Sequence, residues 1–156
     1  GYNLEPSEIS AAFGLVQLKK LQKHISLRRS FFKQHLNFFK KYSNLFTLPK
    51  ENIKSITGWL AFPLIVKNNK FFNRTDLQVF LEKRNIQTRV ILTGNILRQP
   101  AFKNIKCKGK ANEFINSDNV MRNGILIGCH HGLNNKLIKH IHKSIEFFLS
   151  KLKYRN

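Results

Sequence analysis

Toward its C-terminal end the chain places Leu137, Ile141, Ile145, Phe148 and Leu152 at intervals of three and four residues. That spacing gathers the five side chains on one side of an α-helix running from about Asn135 to the end. A stripe this regular has to be covered, and three upstream segments have the character of strands that could cover it. Trp59 to Val66 is aromatic and branched, Thr88 to Leu92 is short and branched, and Ile125 to Cys129 is almost wholly apolar. Pro63 removes one ladder donor from the first segment, which predicts an edge position or a bulge there.

Ser7 is the expected N-cap, and Glu8 the first-turn acid, of a long helix from about Glu8 to Tyr42. Ile9, Phe13 and Val16, followed by Leu18, Leu21 and Ile25, predict its buried stripe. The stripe drifts around the axis, which predicts a bend or break. Gly14 costs about 1 kcal/mol relative to Ala in an exposed helix, so close packing against another element is expected there. Asn73, with Asp76 three residues on, predicts the cap of a helix whose apolar face is Leu77, Phe80 and Leu81. Asn116 to Asn123 predicts a short helix. Leu48 to Thr57 reads as a loop, Lys67 to Lys70 as a turn, and Gly94 to Lys110 as an irregular stretch. The expected fold is α/β (or α+β): a long N-terminal helix and a small, mostly antiparallel three-stranded sheet with flanking helices.

The 156 residues suffice for one core, and 42% hydrophobic with 23% charged residues excludes a disordered chain. No run reaches the roughly 20 apolar residues of a membrane-spanning helix. The N-terminus lacks the basic and apolar regions of a signal peptide and an initiator Met, so a processed product or a fragment is expected. Cys107 and Cys129 form no CxxC pair, and two free thiols fit a reducing cytoplasm. The net charge of +20 invites a nucleic-acid reading. However, the Lys and Arg residues are spread along the chain and no nucleic-acid-binding signature accompanies them. His130-His131 and His140-x-His142 lack the i, i+4 spacing of helical zinc ligands, so packing or solvated histidines are expected rather than a metal site.

The opening residues 1–12, GYNLEPSEISAA, with Ala11 to Leu18 reading AAFGLVQL, resemble the G-Y-N segment and following helix of the DegT/DnrJ sugar-aminotransferase family. Thr88-Arg89 followed by Gly94-Asn95-Ile96-Leu97-Arg98-Gln99-Pro100 looks like the pattern of its nucleotide-sugar 3-dehydrase subgroup, which includes the CDP-6-deoxy-hexulose enzymes. Sugar aminotransferases usually carry an LHxQP-like sequence at that place. Ile127 to Leu133 resembles the family's IGxxPGL segment. Three positions depart from the family pattern. Glu5 stands where a basic residue is usual, Ser10 where Gln is common, and His131 replaces the Pro.

The resemblance implies the C-terminal domain of a fold-type-I pyridoxal-phosphate (PLP) enzyme, with residues 1–45 as a helical connector and the large cofactor-binding domain absent. It implies a homodimer, or a partner polypeptide upstream, acting on a nucleotide sugar in lipopolysaccharide precursor synthesis. By the same resemblance Asn3, with Tyr2 beside it, reaches the PLP phosphate across the dimer, and Arg89, Asn95 and Arg98 hold the sugar or its diphosphate. The residue that bonds to the cofactor, Lys for transamination or His for dehydration, is implied to lie upstream. So are the cysteines of an iron–sulfur cluster, where a relative carries one. These residues alone are therefore not expected to be catalytic. The alternative is a catalytically dead remnant or a basic module that binds nucleic acid or another anion.

Overall fold

In the computed structural model the described residues are 5–102 and 104–153. Helix α1 (Glu8–Lys40) is followed by β1 (Phe46–Thr47), β2 (Ala61–Val66), α2 (Arg74–Glu82) and β3 (Thr88–Val90). After an irregular stretch come α3 (Ile115–Asn123), β4 (Gly124–Gly128) and α4 (Asn135–Lys153). The sheet has four strands in the order β1-β2-β4-β3, and every neighbouring pair is antiparallel. The expected three strands are present, and β1 is an addition. With only two residues it has no periodicity to read, yet it buries Phe46 in the core. It pairs only with Val66 and Ile65, so β2 has an unpaired edge at Pro63.

Alternation along β2 turns Phe62, Leu64 and Val66 toward one face, where all three are buried. Phe32, His35 and Phe39 of α1 meet the Phe62 ring there, and the stripe of α4 joins the same core. Within α4 the buried apolar positions are Ile138, Ile141, Ile145, Phe148 and Leu149. Leu137, expected on the stripe, is 42% exposed, and Ile138 takes its place one residue further round the helix. The cap of α2 forms as read. Asn73 Oδ1 accepts from the Thr75 and Asp76 amides, while Asp76 Oδ2 accepts from the Asn73 amide. Ser7 occupies the N-cap position of α1, but its side chain makes no capping hydrogen bond.

The first half of α1 overturns two expectations. The helix is continuous over 33 residues, about 50 Å long. Its expected buried stripe is bare: Ile9 is 83% exposed, Phe13 66% and Leu18 63%. At 100° per residue, Ile9, Phe13 and Val16 lie roughly 150° around the axis from Leu18, Leu21 and Ile25. The apparent drift is therefore two apolar faces on one unbroken helix. Gly14 has nothing within 4 Å of where its Cβ would stand, so close packing does not explain it within this chain.

One polar contact ties α1 to both β4 and α4. His35 is fully buried, with Nε2 2.9 Å from the Gly128 carbonyl oxygen and Nδ1 3.0 Å from His142 Nε2. A carbonyl can only accept, so His35 Nε2 carries the proton and Nδ1 accepts from His142. Burial pushes both pKa values down to about 4, with the Gly128 hydrogen bond opposing at His35 and the neighbouring His35 adding to the fall at His142. Unfolded, each titrates near 6.5. The unfolded chain therefore binds more protons between these values, and stability falls as pH drops from about 6.5 to about 4. Thermal melts across that range should show a falling midpoint. His142→Phe, which keeps a ring to stack on Phe38, should flatten part of the slope.

Candidate functional site

Three residues implied by the resemblance lie among the described residues, and the sheet and one loop place them. Thr88 of β3 is buried toward the core, so the next side chain, Arg89, stands on the opposite face, beside Leu126 of β4. Arg89 borders a hollow of about 350 Å³ lined also by Leu60, Ala61, Gln87, Leu126 and His130. The hollow offers cationic and amide donors on an apolar floor. No lysine lines it, so its residues fit the binding of an anionic or hydroxyl-rich group and do not fit covalent attachment of PLP.

Beyond β3 the chain turns sharply. Leu92 and Gly94 both take positive φ, 42° and 63°. Glycine is required at Gly94 for a second reason: a Cβ there would stand 2.2 Å from Met121 Cβ in α3. This turn buries Asn95, whose Oδ1 accepts from the Leu97 amide and starts a single 3-10 turn, Ile96–Arg98. Asn95 Nδ2 donates to the Ala111 carbonyl and to Asp118 Oδ1, each at 2.8 Å. Arg98 closes the arrangement with a two-pronged contact to Asp118, Nε to Oδ1 and Nη2 to Oδ2, both at 2.5 Å. Gln99 Nε2 donates to the Thr93 carbonyl at 3.2 Å.

Asp118 is the residue that reading the sequence missed. The Arg98 guanidinium, with the Asn95 amide in support, holds its carboxyl down at about 2 against the opposing effect of burial. The same contact raises the Arg98 pKa, so the guanidinium stays charged. The clamp is complete above about pH 4 and is lost as pH falls through about 2. The available signal was scarcity: the chain has only 8 acidic residues, and one stands in a short helix of otherwise neutral and basic residues.

Arg98 and Asn95 are thus brought together by Asp118, and Arg89 stands on the neighbouring strand. Tyr2 and Asn3 lie outside the described residues. Of the histidines expected to be packed or solvated, half-buried His142 bonds to the buried His35, His131 stacks on His24 and His140 contacts the Arg84 carbonyl oxygen. Cys107 and Cys129 are both free, and burial pushes the Cys129 thiol up to about 11. Among the described residues no group of three or more His, Cys, Asp or Glu side chains could hold a metal ion.

The pinned loop is the Gly94–Pro100 block that carries the resemblance, and comparison with known proteins agrees with it along most of the chain. The DegT/DnrJ/EryC1/StrS aminotransferase family matches residues 1–146. The chain belongs to that family. Similar relatives include the lipopolysaccharide biosynthesis protein RfbH of Salmonella typhimurium, 31% identical over 95% of this chain and 34% of its own length. Another is the dTDP-4-dehydro-2,6-dideoxy-D-glucose 3-dehydratase of Saccharopolyspora spinosa, 32% identical over 97% of this chain and 32% of its own. Among solved structures, an E. coli GDP-4-keto-6-deoxy-D-mannose-3-dehydratase with bound hydrated PLP superposes with a TM-score of 0.81 at 29% identity, over 92% of this chain and 36% of that one. The chain spans about a third of the length of the relatives it matches.

Two substitutions test the loop. Asp118→Asn should keep the side-chain shape but release Arg98, giving faster amide hydrogen exchange through residues 94–111 with α4 unchanged. Gly94→Ala should destabilise by at least about 1–3 kcal/mol, from the left-handed backbone plus the Met121 contact, read as a lower denaturation midpoint.

Proposed function

We propose that these residues are the C-terminal small domain of a PLP-dependent nucleotide-sugar enzyme, with residues 1–45 as the helical connector to a large cofactor-binding domain. The observation that carries this is the Gly94–Pro100 block, formed as a loop whose Asn95 and Arg98 are both held by Asp118. Two bare apolar faces on the first half of α1 support it, because a helix apolar on opposite sides is normally enclosed by other structure. The missing cover would come from that large domain and from the second subunit of a homodimer.

The reaction favoured is 3-dehydration of a keto-deoxy sugar nucleotide, since a relative of 32% identity is named a 3-dehydratase. A place in lipopolysaccharide precursor synthesis follows from the RfbH likeness. Transamination is the second form of the same reading. When bound, PLP supplies the electron sink, and the protein orients substrate and moves protons. In this chain Arg89 and Arg98 would hold the anionic part of the substrate, because a guanidinium offers a planar fork to phosphate oxygens. Arg98 gives Nε–H and one Nη2–H to Asp118, which leaves the second Nη2–H and both Nη1 hydrogens as donors. Asn95 would hold those donors in place through Asp118. Asn3, with Tyr2 beside it, would meet the PLP phosphate of the neighbouring subunit, as an amide donor suits. A cytoplasmic location fits substrates of this kind, and no helix among the described residues is long and apolar enough to cross a membrane.

Co-expression with an upstream polypeptide matching the remaining two-thirds of the relatives tests the reading. The expected product is a complex with the visible absorbance of bound PLP and dehydratase activity on a nucleotide sugar. In it, Arg89→Ala and Arg98→Ala should each raise KM about tenfold, the loss of one charged hydrogen bond, with kcat changed less. A chain that takes up no such polypeptide and holds heparin with a steep salt dependence would instead be a basic anion-binding module.

A further inference from the structure

Away from the loop just described, α1 and the turn before α4 form a cluster of bases. Lys20, His24 and Arg28 follow one another at four-residue intervals and share a face of α1, with Lys23 beside them. His131 closes on this face: its ring stacks on His24 with centroids 3.8 Å apart and 11° between planes. Arg28 Nη2 lies 3.1 Å from His131 Nδ1. A guanidinium only donates, so Nδ1 accepts, and neutral His131 carries its proton on Nε2.

The groups around His24 are uniformly basic. Burial lowers the His24 pKa, and every charge that acts on it further is positive: His131, Arg28, Lys20 and Lys23. Glu51, Glu146 and Asp118 form ion pairs with Arg29, Lys41 and Arg98 and not with this cluster. Arg28 Nε is buried and has no hydrogen-bond partner among the described residues. An orphaned buried donor and a concentration of like charge are each unfavourable. An anion with several acceptor oxygens at the exposed edge of the cluster offsets the like charge, while Nε stays shielded from solvent.

We propose that Arg28, His131 and His24, with Lys20 and Lys23 at the rim, form a binding site for a phosphate-class anion, either free phosphate or the diphosphate of a nucleotide. Tetrahedral phosphate oxygens can accept from the guanidinium N–H groups of Arg28 that His131 does not take and from both imidazoles together. Lys20 and Lys23 add attraction at longer range. The inference does not depend on the enzyme reading, because every group it uses lies in this chain.

The test follows the imidazole C2–H resonances of His24 and His131 in the 156-residue chain during titration with orthophosphate, pyrophosphate or GDP, at ionic strength held constant with sodium chloride. Saturable shifts of both residues are expected, with His140, which contacts the Arg84 carbonyl, unmoved. The bound anion should raise the His24 pKa by about one unit, equivalent to tenfold tighter binding to the protonated form. Arg28→Gln should weaken pyrophosphate binding about tenfold. If that variant loses its ring-shifted core signals, the Lys20→Gln/Lys23→Gln pair carries the test, with a severalfold loss expected. Saturation by orthophosphate as strong as by GDP identifies free phosphate as the source, and a clear preference for pyrophosphate and GDP identifies a diphosphate. The same shifts in sodium chloride alone, or unchanged affinity in the variants, would overturn the site.

Discussion

Phe62, the second residue of β2, has no exposed surface, and successive turns of α1 close over it through Phe32, His35 and Phe39. Rings of this size dominate the area removed from water, and together they hold α1 on the sheet. Phe46 extends the seam from β1, while Phe72 connects the same core to Phe148 of α4. His35 gives the contact its register. A ring among phenylalanines could slide, whereas one bonded to both the Gly128 carbonyl and His142 fixes α1 against β4 and α4 at once.

That core face determines what the other face can do. Once Phe62, Leu64, Ile125 and Ile127 point inward, the alternation of the strands leaves Arg89 and Leu126 on the outer side. Near Gly124 the outer side closes, since a Cβ there would meet the Val120 carbonyl of α3 at 2.4 Å. It stays open toward Arg89 and His130. The 94–100 loop is held to α3 by a separate polar device, with Asp118 receiving both Asn95 and Arg98. Core and loop are thus built on different physics, one apolar and nondirectional, the other charged and directional. Disturbing the clamp need not disturb the sheet.

Much of this was legible in the residues. The capping box at Asn73, the α4 helix and the three longer strands follow from local spacing and side-chain type, which act over a few residues. Leu137 failed because neighbouring positions on one helix differ by only 100°, and the surface that α4 meets decides which of Leu137 and Ile138 is inside. The stripe on α1 failed for a related reason. Periodicity marks faces that need cover, and the described residues leave Ile9, Phe13 and Leu18 mostly exposed. At the site, Arg89, Asn95 and Arg98 came from resemblance to a family pattern. Asp118 belongs to no motif and has no regular spacing from Arg98.

The amino-acid sequence by itself determined the order of the longer elements, the apolar faces of α2 and most of α4, and the family, because each depends on local pattern or on motifs contiguous along the chain. Only the tertiary structure decided the partners of the charged and titratable groups. Arg98 with Asp118, His35 with His142 and His24 with His131 are 20, 107 and 107 residues apart along the chain. A hydrogen bond is satisfied or orphaned by a few tenths of an ångström, and that distance exists only after the sheet and α1 have packed.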